Sequence, residues 1–394
     1  MKTVVNLAPR IEEALLGRND ILEDFFSEEK RKLAEACREM SERFQIGGRL
    51  LAFGHGPCST DAQHVSVEFV HPVIVGKRAL PALDLSALMQ PWLDAICRPE
   101  DIVMGFGPPQ GDPDVRSALD SAHRRGAMTF SLPGAGGSYA LQTSVHDPFI
   151  HQELVEIFYH TLWETVHVFL EHRELGQDVG QSEFLYPFLG TQKQQTSAIV
   201  SEVADSILMK VRDDTALRRR LASEESEHLA ATALAIHERL LLGGKLILFG
   251  NGGSATDAND WAMDCVMPPE GRCTIPAISL SMEPANITAL ANDVGTEVIF
   301  ARQLMAQARP EDVAIGISTS GGSRNIIMAL EEARKRKLLT VALLGNDGGE
   351  IARRGLADFP IIVRSDYIPR IQEIQASAYH TIIDTLEVIG RGSD

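Results

Sequence analysis

The 394-residue chain has no long apolar run. No segment is therefore expected to cross a bilayer, which takes roughly 20 consecutive apolar residues. Its start, Met1 to Leu7, has no long apolar segment, so no secretory leader is expected and a cytoplasmic place is. The five cysteines, at 37, 58, 97, 265 and 273, are scattered, odd in number and without CxxC spacing. That excludes a disulfide scaffold and fits a reducing compartment. Basic residues are in short supply, with Lys plus Arg at 37 against Asp plus Glu at 54 and a formal charge of −17. Nucleic acid and anionic membranes should repel such a surface, so neither is expected as a partner. Low-complexity sequence is also absent.

The chain does contain one glycine-rich stretch, Gly243 to Asp264, reading GGKLILFGNGGSATDANDWAMD. Lys245 to Phe249 is a short apolar run of buried-strand type, Gly250 to Ser254 is a turn, and a helical pattern starts at Ala255. Backbone N–H groups in such a turn can approach an anion, and the helix start adds unpaired donors and a positive dipole end. No Gly-Lys-Ser/Thr follows, so this is not a Walker loop, and no nucleotide cofactor is expected. An ordinary strand-to-helix turn has the same look, so the stretch alone does not decide.

Nearly the same words occur twice. Gly47 to Glu68, GGRLLAFGHGPCSTDAQHVSVE, lies over Gly243 to Asp264 without a gap, 196 residues apart. PEDIVMGFG from Pro99 matches PEDVAIGIS from Pro310, RGAMTFSLPG from Arg125 matches RKLLTVALLG from Arg336, and HQELVEIFYHT from His151 matches IQEIQASAYHT from Ile371. A repeat this long is a domain duplication. Residues 1–175 and 193–394 are the expected domains, with 176–192 (GQDVGQSEFLYPFLGTQ), broken by glycines and a proline, as the linker.

Within each copy, amphipathic helical sequence (Ile11 to Phe44; Ser197 to Leu242) precedes alternating strands and helices. Strands are expected at Ala79 to Leu83, Ile102 to Phe106 and Met128 to Ser131, and near Lys245, Thr274, Val313, Leu339 and Phe359. Helices are expected over Asp114 to Arg125, Asp147 to His172 and Arg370 to Ile389. Alternation of this kind predicts an α/β fold, a parallel sheet with helices on both faces, in each copy.

After the strand Val313 to Ile317 come Ser318, Thr319, Ser320, Gly321, Gly322 and Ser323, then a helix. Four hydroxyls at a strand's carboxyl end can hold a phosphate monoester without a metal; a serine-rich helix cap is the bland alternative. The first copy reads Gly105, Phe106, Gly107, Pro108, Pro109, Gln110, Gly111 and Asp112 instead. The prolines remove donors and Asp112 repels an anion, so phosphate should bind there poorly. This copy is also shorter by about fifteen residues where the second carries ITALANDVG.

The first copy keeps His64 and Glu68 at i, i+4 on one helix, and Gln152 and His160 at i, i+8 on another. Side by side they make a ligand set for zinc or a similar divalent ion, although helical His and Glu are often merely structural. The second copy has Asp260, Asp264, Gln372 and His380 there, a weaker metal set.

GNGGS, LANDVG, GISTSGGS, LLGNDGG and RIQEI followed by a His eight residues after the Gln make the second half, from Thr196 to Gly390, resemble the phosphoheptose isomerases. These belong to the sugar isomerase (SIS) domain class, of flavodoxin-like doubly wound fold. The first half resembles them more weakly, so the chain reads as two tandem SIS domains. The resemblance implies aldose-ketose isomerisation of a phosphosugar, sedoheptulose 7-phosphate to D-glycero-D-manno-heptose 7-phosphate. It places the phosphate on Ser318, Thr319, Ser320 and Ser323, with Asn251, Gly252, Ser254, Asp293 and Gln372 around the sugar. The acid/base pair carries over as Glu68 and His160 in one half and Asp264 and His380 in the other, and the zinc set as His64, Glu68, Gln152 and His160. Pro369 departs from the acidic residue of closer relatives and puts one hydroxyl contact in doubt. A homodimer of four SIS domains is implied, with a site either composite between halves or confined to the second. A catalytically silent phosphosugar sensor or protein-binding regulator is the alternative.

Overall fold

The computed structural model describes residues 2–72, 76–134, 136–175 and 196–391. The expected linker, 176–192, lies outside them. The chain opens with a single helix, α1 (Lys2–Gln45), where the spacing allows one or two. Ile11, Leu15, Leu22, Phe26, Leu33, Cys37, Met40 and Phe44 recur at steps of three, four and seven and are all buried. One apolar face therefore persists along the whole helix.

There follow β1 (Leu50–Gly54), α2 (Ser59–Val70), β2 (Ala82–Asp84), α3 (Met89–Ile96), β3 (Ile102–Phe106), α4 (Pro113–Arg124), β4 (Met128–Leu132), β5 (Tyr139–Ala140) and α5 (Pro148–Leu175). All five strands pair in parallel, in the order β2-β1-β3-β4-β5. Alternate residues of the central strands face opposite sides. Leu50, Ala52, Ile102 and Met104 join one core with α1, α2 and α5. Leu51, Phe53 and Val103 join a second core with α3 and α4. Helices thus cover both faces, which is why the strands read as continuous apolar runs.

The second series is α6 (Thr196–Leu241), β6 (Leu246–Phe249), α7 (Gly253–Val266), β7 (Ala277–Ser279), α8 (Pro284–Asp293), α9 (Ile299–Gln307), β8 (Val313–Ser318), α10 (Arg324–Lys335), β9 (Leu339–Gly345), α11 (Gly349–Arg353), β10 (Phe359–Val363) and α12 (Ile368–Arg391). Its parallel sheet runs β10-β9-β8-β6-β7. Read from the other edge, this is the same doubly wound order. The ITALANDVG segment becomes α8 and the turn after it, an element the first series lacks. β2 and β7 begin three residues later than expected, and the two-residue β5 is too short to leave a periodic signal.

Packing divides the chain into Met1–Asn19 with Ala216–Asp394, here the C-terminal unit, and Asp20–Thr215, the N-terminal unit. The sequence reading instead assigns residues 1–175 to one domain and 193–394 to the other. In the C-terminal unit Asn19 Oδ1 accepts from buried Arg218 Nη1 at 2.9 Å, and Arg218 Nε donates to Ser377 Oγ at 2.9 Å. The duplication reaches individual bonds. Buried Asp101 accepts from Arg49 N at 3.0 Å and Arg98 N at 2.9 Å, and buried Asp312 accepts from Lys245 N at 3.0 Å and Arg309 N at 2.8 Å. Among the described residues no helix is long and apolar enough to cross a membrane, and no disulfide joins any of the five cysteines.

Candidate active site

In the C-terminal unit the strand order reverses between β6 and β8, and open α/β sheets take ligands at the carboxyl ends of such a pair. Two loops meet there. The turn after β6 brings Asn251, Gly252 and Ser254 to the start of α7. The serine loop after β8 brings Ser318, Thr319, Ser320 and Ser323 to the start of α10. Asn251 and Asn325 exchange amide hydrogen bonds of 2.9 and 2.8 Å and tie the loops together. Ser318 Oγ lies 3.3 Å from Ser323 Oγ and accepts from Gly321 N at 3.1 Å, while Ser320 Oγ accepts from Gly322 N at 3.2 Å. Gly321 has φ +60°, and a Cβ on it would lie 2.1 Å from Gly348 O, so only glycine lets the next loop close on this one.

A cavity of about 620 Å³ opens beside these loops, lined by Asn251, Ser323, Arg324, Asn325, Met328 and the Thr296 to Val298 turn. Asp293 is exposed at the end of α8, three residues before that turn, and accepts from Asn292 Nδ2 at 2.8 Å.

α12 packs against α7 and sets His380 Nε2 3.3 Å from Asp264 Oδ2 and 4.0 Å from Asp260 Oδ2, all three groups being buried. Burial raises the Asp264 carboxyl above its ordinary value, and the His380 hydrogen bond opposes the rise. A carboxylate tuned upward is a better proton acceptor near neutral pH. Gln372, two turns before His380 on α12, is buried as well.

In the N-terminal unit the place of the serine loop is filled by the protein itself. Asp112 caps α4, its Oδ1 accepting from Asp114 N at 2.8 Å and Val115 N at 3.0 Å, and its Oδ2 lies 3.1 Å from His55 Nδ1. The carboxylate thus uses the donors an incoming anion would need, as well as repelling it.

Also in this unit, α2 and α5 bring His64 and His160 into edge contact, with ring centroids 5.1 Å apart, and His64 Nε2 lies 3.8 Å from Glu68 Oε1. Glu156 joins them: one atom each of His64, Glu156 and His160 lies within 4.8 Å of the others, all buried. Burial, followed by the neighbouring His160, holds His64 well below its ordinary pKa. Imidazoles beside carboxylates are the chemistry of a zinc site, and a ligating imidazole must be neutral, as the lowered His64 favours, so the donor set fits the ion. Gln152, one turn before Glu156, is half-buried.

Comparison with known proteins decides the family. The SIS domain profile matches residues 211–345. The phosphoheptose isomerase of Trichlorobacter lovleyi is 41% identical over 182 residues, 46% of this chain and 92% of that protein. That of Chlorobium phaeobacteroides is 39% identical over 203 residues, 50% of this chain and 87% of that protein. The chain belongs to the phosphoheptose isomerase family. Its fold is similar to that of a solved structure, the C-terminal domain of glucosamine-fructose-6-phosphate aminotransferase from Francisella tularensis. That chain is 8% identical with a TM-score of 0.60, and the match covers 95% of this chain and 96% of that one; the likeness is one of fold.

Some site residues of this SIS protein escaped the sequence reading. Glu156 carries a recognisable signal, lying at i, i+4 from both Gln152 and His160. Asn325, Thr296 and Glu297 carry none, because only the meeting of two distant loops gives them a role.

Proposed function

We propose that this isomerase converts sedoheptulose 7-phosphate to D-glycero-D-manno-heptose 7-phosphate, with the C-terminal unit as the working site. What carries the reading is the joint presence, in one unit, of a hydroxyl-lined loop at the sheet's switch point and a buried carboxylate 3.3 Å from an imidazole. Ser318, Thr319, Ser320 and Ser323 would donate to the ester oxygens, with Asn251, Gly252 and Ser254 completing the cradle. Asp293 and Gln372 would orient sugar hydroxyls. Asp264 would take the proton from the carbon beside the carbonyl while the carbonyl oxygen gains one from water, giving an enediol. Protonated His380 would deliver a proton to the neighbouring carbon as the hydroxyl there gives its proton to water, and the proton on Asp264 would pass to His380, 3.3 Å away, restoring both groups.

His64, Glu68, Gln152 and His160, joined by Glu156, would hold zinc in the N-terminal unit. A bound divalent ion supplies Lewis-acid polarisation of a carbonyl oxygen. Glu68 and His160 are also this unit's counterparts of the acid/base pair. By the family's habit the chain would pair as a homodimer of four SIS domains in the cytoplasm.

The test is turnover of sedoheptulose 7-phosphate, with and without added zinc, by the wild-type chain and by separate Asp264→Ala and Glu68→Ala variants. Loss of at least 100-fold in kcat with Asp264→Ala and little change with Glu68→Ala is the expected result. Dependence on Glu68 would move the chemistry to the first copy's residues. Phosphosugar binding without turnover in the wild type would instead make the chain a sensor.

A further inference from the structure

Beside the acid/base pair, and assigned no part in it so far, stands Tyr379. Its hydroxyl donates to Asp260 Oδ2 at 2.6 Å. Its ring stacks on Trp261, centroids 5.3 Å apart, and meets the His380 ring edge-on at 4.5 Å. The side chain is 2% exposed. A buried phenol needs a hydrogen-bond acceptor and a buried carboxylate needs donors, and this bond serves both groups.

Asp260 and Asp264 stand one turn apart on α7, and both face His380. The distances differ, 4.0 Å for Asp260 and 3.3 Å for Asp264, and the Asp260 oxygen nearer the imidazole is the one the phenol holds. The phenol and the imidazole therefore compete for one oxygen, and the phenol holds it at the shorter distance. In the N-terminal unit the matching tyrosine, Tyr159, lies 5.1 Å from His64, which occupies the place of Asp260. The aromatic ring is thus kept in both copies, while the group beside it changes from imidazole to carboxylate.

We propose that Tyr379 is a positioning residue for proton transfer: it restrains Asp260 so that Asp264 alone pairs with His380. The inference rests on the isomerase reading of the C-terminal unit. The groups around His380 that bear on a titration include, on α12 itself, Asp384 one turn on, paired with Arg272 and Arg18, and buried Glu373 two turns back, paired with Arg370. α12 packs on α7, β9 and β10; α7 offers Asp257, Asp260, Asp264 and Cys265, and the two strands carry no titratable side chain. Arg272 acts on Asp264, and Arg218 reaches Ser377 one turn before the imidazole.

Tyr379→Phe removes the hydroxyl and keeps the ring. Its kcat should fall about tenfold with KM within twofold of wild type, as expected for loss of an outer hydrogen bond that orients reacting groups. Adding Asp260→Asn to Tyr379→Phe should restore much of the lost kcat, because the competing charge is gone. An unchanged kcat, or a loss that Asp260→Asn does not relieve, overturns the proposal. A second readout needs no turnover: the His380 ring resonance in 13C-histidine-labelled protein, identified by its disappearance in His380→Gln. Its titration curve should move in Tyr379→Phe and return in the double variant, and a curve that does not move overturns the proposal. If the wild type turns over no phosphosugar, the isomerase reading fails, and the resonance still judges Tyr379.

Discussion

A methyl group on Gly321 would sit 2.1 Å from the Gly348 carbonyl, at a φ of +60° that disfavours any side chain. Gly321→Ala should therefore open the serine loop and weaken phosphosugar binding at least tenfold in calorimetry, while overall helix content stays the same. Asp112 allows a pH prediction. Burial works against its charge, but the Val115 N–H, the His55 ring and the Asp114 N–H outweigh that, and the carboxyl lies below its ordinary 3.8. A carboxyl depressed in the fold contributes stability that is complete above its unfolded value and is lost as pH falls through the lower folded value. Asp112→Ala should cost about 1 kcal/mol at pH 7 in urea melts, and the difference should vanish as the pH is brought below that depressed value. At this scale the sequence was legible where one residue type repeats a chemical demand, as in the hydroxyls from Ser318 to Ser323. Asp112 was half legible. Its charge set the loop apart from the serine loop, but its capping bonds depend on the backbone path through Gly111 and Pro113.

Elements were legible where burial is periodic. The strands Ile102–Phe106 and Val313–Ser318 stand where apolar runs predict them. What periodicity leaves out is how a strand is anchored. Buried Asp312, just before β8, accepts from Lys245 N, Lys245 Nζ at 2.7 Å and Arg309 N. Asp312→Ala would leave two backbone N–H groups without their acceptor at the base of the sheet. A loss of about 2–3 kcal/mol in urea unfolding is expected, with Asp312→Asn keeping part of it. That PEDIV and PEDVA encode this clamp was not readable, because an acidic residue before a strand is ordinarily a solvated turn. The α5 helix shows the same limit. His160 and Gln152 stood out by their spacing; Glu156 shares that spacing but is one of several glutamates on the helix, and its burial beside His64 and His160 singles it out.

For the whole molecule, the duplication was plain from the paired motifs, and both sheets have the same strand order. Packing groups the first nineteen residues with Ala216–Asp394, a grouping that periodicity does not reveal, because it says which face is buried and not in which body. Ile11 and Leu15 are buried at 2% and 0% exposure in the unit that carries the serine loop. Ile11→Ala and Leu15→Ala should each lower the stability of that unit by about 2–5 kcal/mol. The measurement is urea unfolding followed by Trp261 fluorescence in a variant lacking Trp92 and Trp163. A melt unaffected by either change would place these residues elsewhere.

Helices that belong to one body at one end and another at the other, as α1 and α6 do, carry a genetic consequence. A gene doubled in tandem can normally be halved again, each half being self-sufficient. Here a stop codon at the repeat boundary, or an internal start after it, would yield a product missing part of its own interior. Selection can still wear away catalytic groups in one copy, but it can no longer discard that copy.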